Sequence, residues 1–144
     1  MFFSSLTDRG AAPALVDTLV YTQERLKMIA ENVANLNTPG YRAKQLDAKA
    51  FQGALRRALN DRGDDMSKPF VVEAGDEVRT DGNGSLRVTP SLHPVENALF
   101  HDGTNLSIER QMADLAETGM THEITTQLLA GNFDLLRKAI RGRL

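Results

Sequence analysis

The sequence predicts a mainly α fold. Long N- and C-terminal helices pair as a coiled-coil-like hairpin, with a shorter helix and an irregular, β-containing middle segment between them. Three observations carry this. Apolar or small residues recur at 3–4 spacing from Ala12 to Leu36, and a second such run extends from Ile108 to Ile140. Between residues 61 and 105 the helical period is lost and turn signals crowd together. The 144 residues are enough for a single core. They divide into an N-terminal helix and turn (1–43), a short helix (44–60), the middle segment (61–105) and a C-terminal helix (106–144).

The first helix starts near Pro13, whose fixed φ suits a first turn. Its seam reads Ala12, Leu15, Leu19, Thr22, Leu26, Ile29, Val33 and Leu36, with Tyr21, Gln23, Glu24, Arg25, Lys27 and Glu31 off it. At 1.5 Å per residue it would be about 35 Å long. One helix cannot bury such a stripe alone, so a partner is required. Asn32 and Asn35 lie three apart on one face, beside Val33 and Leu36. Asn37 is a suitable terminator because it tolerates the left-handed conformation. Pro39 drives Thr38 out of the helical region, and Pro39-Gly40 suits the centre of a type II turn. Tyr41 can fold back on the helix end with its hydroxyl in water. Taken singly, these residues describe an ordinary helix stop followed by a turn.

A second helical pattern runs from Asp47 to Leu59. In the middle segment, Phe70-Val71-Val72 and Leu86-Arg87-Val88 are short strand candidates, and Asp81-Gly-Asn-Gly84 can close a hairpin between Val78 and Val88. Runs this short do not build an independent sheet core, so the segment is expected to be ordered by contact with something else. The C-terminal helix is capped by Ser107, with Glu109 in its first turn. Its seam is drawn through Ile108, Met112, Leu115, Gly119, His122, Thr126, Leu129, Phe133, Leu136 and Ile140. Ile124, Leu128 and Leu135 form a second row beside it, an apolar face broad enough for more than one neighbour. Arg137, Lys138, Arg141 and Arg143 crowd its end, where cations complement the helix dipole or meet an acidic partner.

Composition removes several classes of function. A net charge of −2 lacks the basic excess of a nucleic-acid binder. The absence of cysteine removes disulfides, thiolate nucleophiles and Cys-based metal sites. No stretch approaches the ~20 apolar residues of a membrane span. Met1-Phe-Phe-Ser-Ser-Leu6 is apolar, but it lacks a basic lead and a long apolar run, so no cleavable secretion signal is expected. His93, His101 and His122 have no metal-ligand spacing. His101-Asp102 would be a base and its orienter only in a geometry that adjacent loop residues rarely reach. Asp81-Gly-Asn-Gly84 lacks the Lys-Ser/Thr and helix of a phosphate loop. Asp114 and Glu117 read as a solvated face. No cofactor is expected. The amides beside the seam suit register-fixing or capping, which is an assembly role.

Asn32, Asn35, Thr38, Pro39, Gly40 and Tyr41 together spell Asn-x-x-Asn-x-x-Thr-Pro-Gly-Tyr. This string resembles the N-terminal signature of the bacterial flagellar rod and hook proteins. A short chain without a large inserted domain looks most like a proximal rod protein. The helical pattern after the turn and the run from Asn105 to Ala116 are similar to that family too. The resemblance covers residues 10–60 and 104–144, and the motif is shared by several sister rod proteins. It implies a non-enzymatic structural subunit of the flagellar basal-body rod, part of a drive shaft and export channel. Such a subunit would reach the periplasmic rod through the flagellar type III apparatus. Implied partners are copies of itself, other proximal rod proteins, the rod–ring adaptor protein and the export gate. The seam alone would equally suit a soluble helical adaptor that binds a partner helix in a groove. A small hydrolase using His101 and Asp102 is a third, weaker reading.

Overall fold

A computed structural model describes residues 10–63, 65, 67–92 and 108–142. Ser107, His93, His101 and Asp102 lie outside the described residues, as do the Met1–Leu6 stretch and Arg143. Helix α1 spans Ala12–Ala34, with Pro13 in its first turn as the sequence predicts. Helix α2 spans Ala48–Arg62, and the Asp47 side chain caps it by accepting the Ala50 N–H at 3.0 Å. Helix α3 spans Ile108–Ile140.

The strands are short. β1 (Lys44–Gln45) pairs antiparallel with β5 (Ser91–Leu92). β2 (Glu73–Ala74), β3 (Val78–Thr80) and β4 (Leu86–Val88) form an antiparallel meander. Its β3–β4 hairpin has the predicted register, Val78 opposite Val88 and Thr80 opposite Leu86. Asp81 closes the turn, with one carboxylate oxygen accepting the N–H groups of Asn83 and Ser85, each at 2.9 Å. The Ser85 and Asn83 amides hold this carboxyl below its usual range.

The middle segment does not wait for an outside partner, and here the sequence expectation is corrected. Phe70, Val72, Ala74, Val78 and Leu86 are buried in one core with Ala14, Tyr21, Met28 and Ile29 of α1 and Phe51, Ala54 and Ala58 of α2. The strands are too short to make a core alone, but α1 and α2 supply the missing walls. Phe70–Val72 forms no strand. Phe70 and Val72 still point inward, with Val71 exposed between them, because Thr80 holds Val72 through its backbone and its side chain: the Thr80 N–H reaches the Val72 carbonyl at 3.1 Å, and the Val72 N–H reaches the Thr80 hydroxyl at 2.8 Å. Tyr21, read from sequence as off the seam, is buried and stacks on Phe51, with ring centroids 3.9 Å apart and planes 3° from parallel. Helix α1 thus carries two inward stripes. The predicted one, Leu15 to Leu36, is half-buried or better throughout. The other (Ala14, Asp17, Tyr21, Met28, Asn32) escaped notice because three of its five members are polar.

Helices α1 and α3 lie antiparallel. Asn32 meets Gln111, Arg25 meets Asp114, and Thr22 meets His122. With 33 residues against 23, α3 outreaches α1 by about 15 Å at 1.5 Å per residue. No apolar side chain of α3 belongs to the core, among the described residues. Its inward face has two heptad rows. One is Leu115, His122, Leu129 and Leu136, all members of the predicted seam, with Leu115 at the exposed edge. The other is Gln111, Thr118, Thr125 and Asn132, and it is wholly polar. The sequence reading placed this second row one residue on, at Met112, Gly119, Thr126, Phe133 and Ile140. Met112, Phe133 and Ile140 are instead exposed, as is Ile108. Threonine explains the displacement. The Thr118 and Thr125 hydroxyls bond back to the carbonyls of Asp114 and Thr121 at 2.6 and 2.7 Å, so each is buried with its polar atom satisfied.

Asp17 has an electrostatic consequence for folding. Burial pushes its carboxyl up to about 7, from 3.8 for the ordinary group. Between those values the unfolded chain has released this proton and the folded chain still holds it. Stability is therefore expected to fall as pH rises from about 4 to about 7 and to level off above. At 1.36 kcal/mol per unit the shift corresponds to about 4 kcal/mol, which solvent screening at this partly open site lowers to on the order of 2–4 kcal/mol. Urea unfolding across this range should show the slope in the native chain and not in Asp17→Asn.

Candidate functional site

The residues that close α1 build one junction. Helix α1 ends at Ala34 and is capped by Asn35 with φ −106°, two residues before the predicted terminator Asn37. The next turn follows its sequence. Gly40 has φ +74°, and the Tyr41 N–H reaches back to the Thr38 carbonyl at 3.2 Å, as a type II turn with Pro39 and Gly40 at its centre requires. Asn35 holds the turn to the helix. Its amide donates to the Glu31 carbonyl at 2.8 Å, and its side-chain oxygen accepts the Thr38 hydroxyl at 3.2 Å.

Asn32 is the hub, with 0% exposure. Its oxygen accepts the Tyr41 hydroxyl and the Lys44 N–H, both at 3.0 Å. Its NH2 group donates to the Lys44 carbonyl at 2.8 Å and to the Gln111 side-chain oxygen at 3.3 Å. Two acceptor and two donor positions are all that a primary amide offers, and all four are used. Toward Lys44 the amide imitates a strand, giving and receiving one backbone bond each. A single side chain thereby joins α1, the turn, β1 and α3. The Tyr41 hydroxyl points into this junction and not into water, which corrects the sequence reading. At the surface Lys44 also pairs with Glu31 at 2.7 Å, and that contact holds the Glu31 carboxyl below its usual range.

Further along, Arg25 reaches Asp114 at 3.3 Å, and the Thr22 hydroxyl lies 2.8 Å from His122 Nδ1. His122 is thus a seam residue. A cavity of about 80 Å³ sits where the three helices meet, lined by Tyr21, Thr22, Arg25, Phe51 and Thr118 among others. Burial pushes the Tyr21 phenol up to about 12, with Arg25 opposing and Glu77, Asp47 and Glu117 adding to the shift. Gln111, Thr118, Thr125 and Lys44 are working residues that a search for apolar periodicity overlooks. Among the described residues no group of three His, Asp or Glu side chains is placed to hold a metal ion. None of the described helices is long and apolar enough to cross a membrane.

The turn gives a direct prediction. A Cβ built on Gly40 meets nothing within 4 Å, so only the positive φ opposes substitution. Gly40→Val should cost about 1–3 kcal/mol. Gly40→Asn should cost much less, because asparagine tolerates this region. Equal midpoints for the two variants in thermal unfolding would contradict the turn assignment.

The other predicted seam residues are divided. Leu15, Leu19, Leu26, Ile29 and Val33 are at least half-buried on α1, as are Leu129 and Leu136 on α3. Leu128 and Leu135 lie on the outer side of α3, 57% and 67% exposed, in line with Met120 and Ile124. Leu128 and Leu135 also line a groove of about 670 Å³ with Ala11 and Leu15.

Comparison with known proteins ties this junction to a family. Residues 15–42, which are most of α1 and the whole motif turn, match the family described as "Flagella basal body rod protein". The flagellar basal body rod protein FlgB of Borrelia hermsii is 29% identical over 122 residues, covering 81% of this chain and 85% of that protein. FlgB of Bacillus subtilis is 24% identical over 133 residues, covering 92% and 95%. FlgB of Escherichia coli is 22% identical over 109 residues, covering 75% and 76%. The likeness thus runs far past the motif, nearly end to end in the second case, and it makes the chain similar to the flagellar basal-body rod proteins of the FlgB kind.

Proposed function

We propose that this chain is a structural subunit of the flagellar basal-body rod, in its proximal part, and contributes to the axial drive shaft and the wall of the export channel. One observation carries the reading beyond family likeness. Helix α3 is twice amphipathic. Its inner rows meet α1, while Met120, Ile124, Leu128 and Leu135 form an apolar line on the outside. An isolated chain has no use for that line, which marks an interaction surface. Subunits packed side by side around an axis would cover it, and a heterologous contact of this kind propagates into a helical assembly.

In this reading the motif turn is a positioning device. The Asn32 junction fixes where α3 leaves α1 and therefore where the outer line points. The neighbours are other copies, other proximal rod proteins and the rod–ring adaptor protein. The chain reaches the periplasmic rod through the flagellar type III apparatus and passes the export gate. An adaptor that grips a partner helix could use the groove beside Leu128, but it would have no use for the motif turn. Immunogold labelling and mass spectrometry of isolated basal bodies test the proposal. The chain should be found in the rod. A chain confined to the cytosol, beside complete rods, would overturn it.

A further inference from the structure

Where α3 runs on past the start of α1, the two helices frame a groove of about 670 Å³. Ala11, Leu15, Leu128 and Leu135 give it apolar walls, with Gly131 and Lys138 also in the lining. The groove follows α3 from Gln127 to Lys138, about 16 Å at 1.5 Å per residue. None of its lining residues belongs to the hydrophobic core.

The chain itself leads into this groove. Ala11 is part of the lining, and Gly10 just before it has φ +64°, which turns the backbone off the α1 axis. The residues ahead of it include Met1-Phe-Phe-Ser-Ser-Leu6, which offers Phe2, Phe3 and Leu6 as apolar anchors. Leu6 and Phe3 stand four and seven residues from Gly10. At no more than about 3.6 Å per residue they reach roughly 14 and 25 Å, enough to span the groove. A segment tethered this close meets the groove at an effective concentration on the order of mM, which a second copy in dilute solution does not approach. Cover also has a use. A bare apolar line that propagates an assembly associates wherever subunits meet.

We propose that the groove is a dock for the chain's own apolar segment, with Phe2, Phe3 and Leu6 lying over Leu128 and Leu135 in the unassembled subunit. The segment covers one end of the outer line and leaves Met120 and Ile124 open, outside the groove lining. A neighbouring subunit that takes the whole line displaces it. Displacement rests on the rod reading, whereas the dock is a property of the single chain.

The absence of cysteine makes the test clean. Ser4→Cys keeps all three anchors. It is combined either with Lys138→Cys in the groove or with Arg137→Cys, an equally exposed neighbour about 100° round the helix and outside the lining. Dilute purified chains are oxidised, and the intrachain disulfide is followed on non-reducing gels. The Lys138→Cys pair should close at least about tenfold faster, the effect of burying a single such anchor. Adding Phe3→Ser and Leu6→Ser should bring the two rates together, with helix content by circular dichroism unchanged. Equal rates in the first two chains indicate a tether without a dock and overturn the proposal, as does a preference that survives Phe3→Ser and Leu6→Ser. Disulfides formed between chains in place of within them give the groove to a second copy and overturn it too. Absence of the chain from isolated rods overturns the rod reading and the displacement, and leaves the dock to the cross-linking result.

Discussion

Replacing Asn32 by alanine is expected to lower the unfolding free energy of the isolated chain by about 3–5 kcal/mol, because several polar groups lose their partner at once. The Lys44 N–H and C=O, the Tyr41 hydroxyl and the Gln111 amide all face the position where this amide stands. Asn35→Ala is the informative contrast. Asn35 is half-buried, and its partners are a carbonyl within the helix and the hydroxyl of exposed Thr38. Its loss should cost less than about 1 kcal/mol. Asn32→Asp should behave nearly like alanine, because a carboxylate cannot donate to the Lys44 carbonyl. Urea titration of the three variants ranks them. Equal destabilisation by Asn32→Ala and Asn35→Ala would remove Asn32 from its place as hub.

Leu128→Glu is expected to block incorporation into the rod while leaving the monomer folded. At 57% exposure, Leu128 gives the isolated chain little burial to lose, and surface changes of this kind usually stay within about 0.5 kcal/mol. Between subunits the same glutamate would place an unpaired charge against an apolar surface, a penalty of several kcal/mol. Leu129→Glu is the control on the inner row and should reduce helix content as well. Phe133, which the sequence placed on the inner row, is 37% exposed and should behave more like Leu128 than like Leu129. Circular dichroism together with basal-body isolation separates the two classes. Normal assembly of Leu128→Glu would leave the outer line without a role.

Legibility in the sequence followed the kind of force involved. The elements shaped by local stereochemistry were plain: the Pro13 start, the Pro39-Gly40 turn, the Asp47 helix and the hairpin about Asp81-Gly-Asn-Gly84. So was the apolar stripe of α1. Burial without apolar character was hidden. Thr118 and Thr125 enter the seam by internal hydrogen bonding, and Asp17 enters a core-facing stripe as an acid. Two of the motif residues, Asn32 and Tyr41, could be seen to matter, but not that they meet each other and Lys44, since nothing in their spacing encodes a contact with a strand twelve residues on. The core of the middle segment was hidden because its walls come from elsewhere in the chain.

The polar inner row of α3 makes the molecule mechanically uneven. The body built from α1, α2 and the meander is held by buried hydrocarbon, whereas α3 adds only half-buried Leu129 and Leu136 to its amide, hydroxyl and ion-pair contacts. Each such fastening is worth only about 0.5–1.5 kcal/mol net, because water competes for the same groups. Helix α3 is therefore expected to come away as a unit at a free energy below that of global unfolding, with its amides exchanging first. A neighbour that offers its own polar groups and a dry surface need not compete with a core to claim this helix. It has only to exchange one modest set of bonds for another, so the longest element of the fold is also the easiest to reassign.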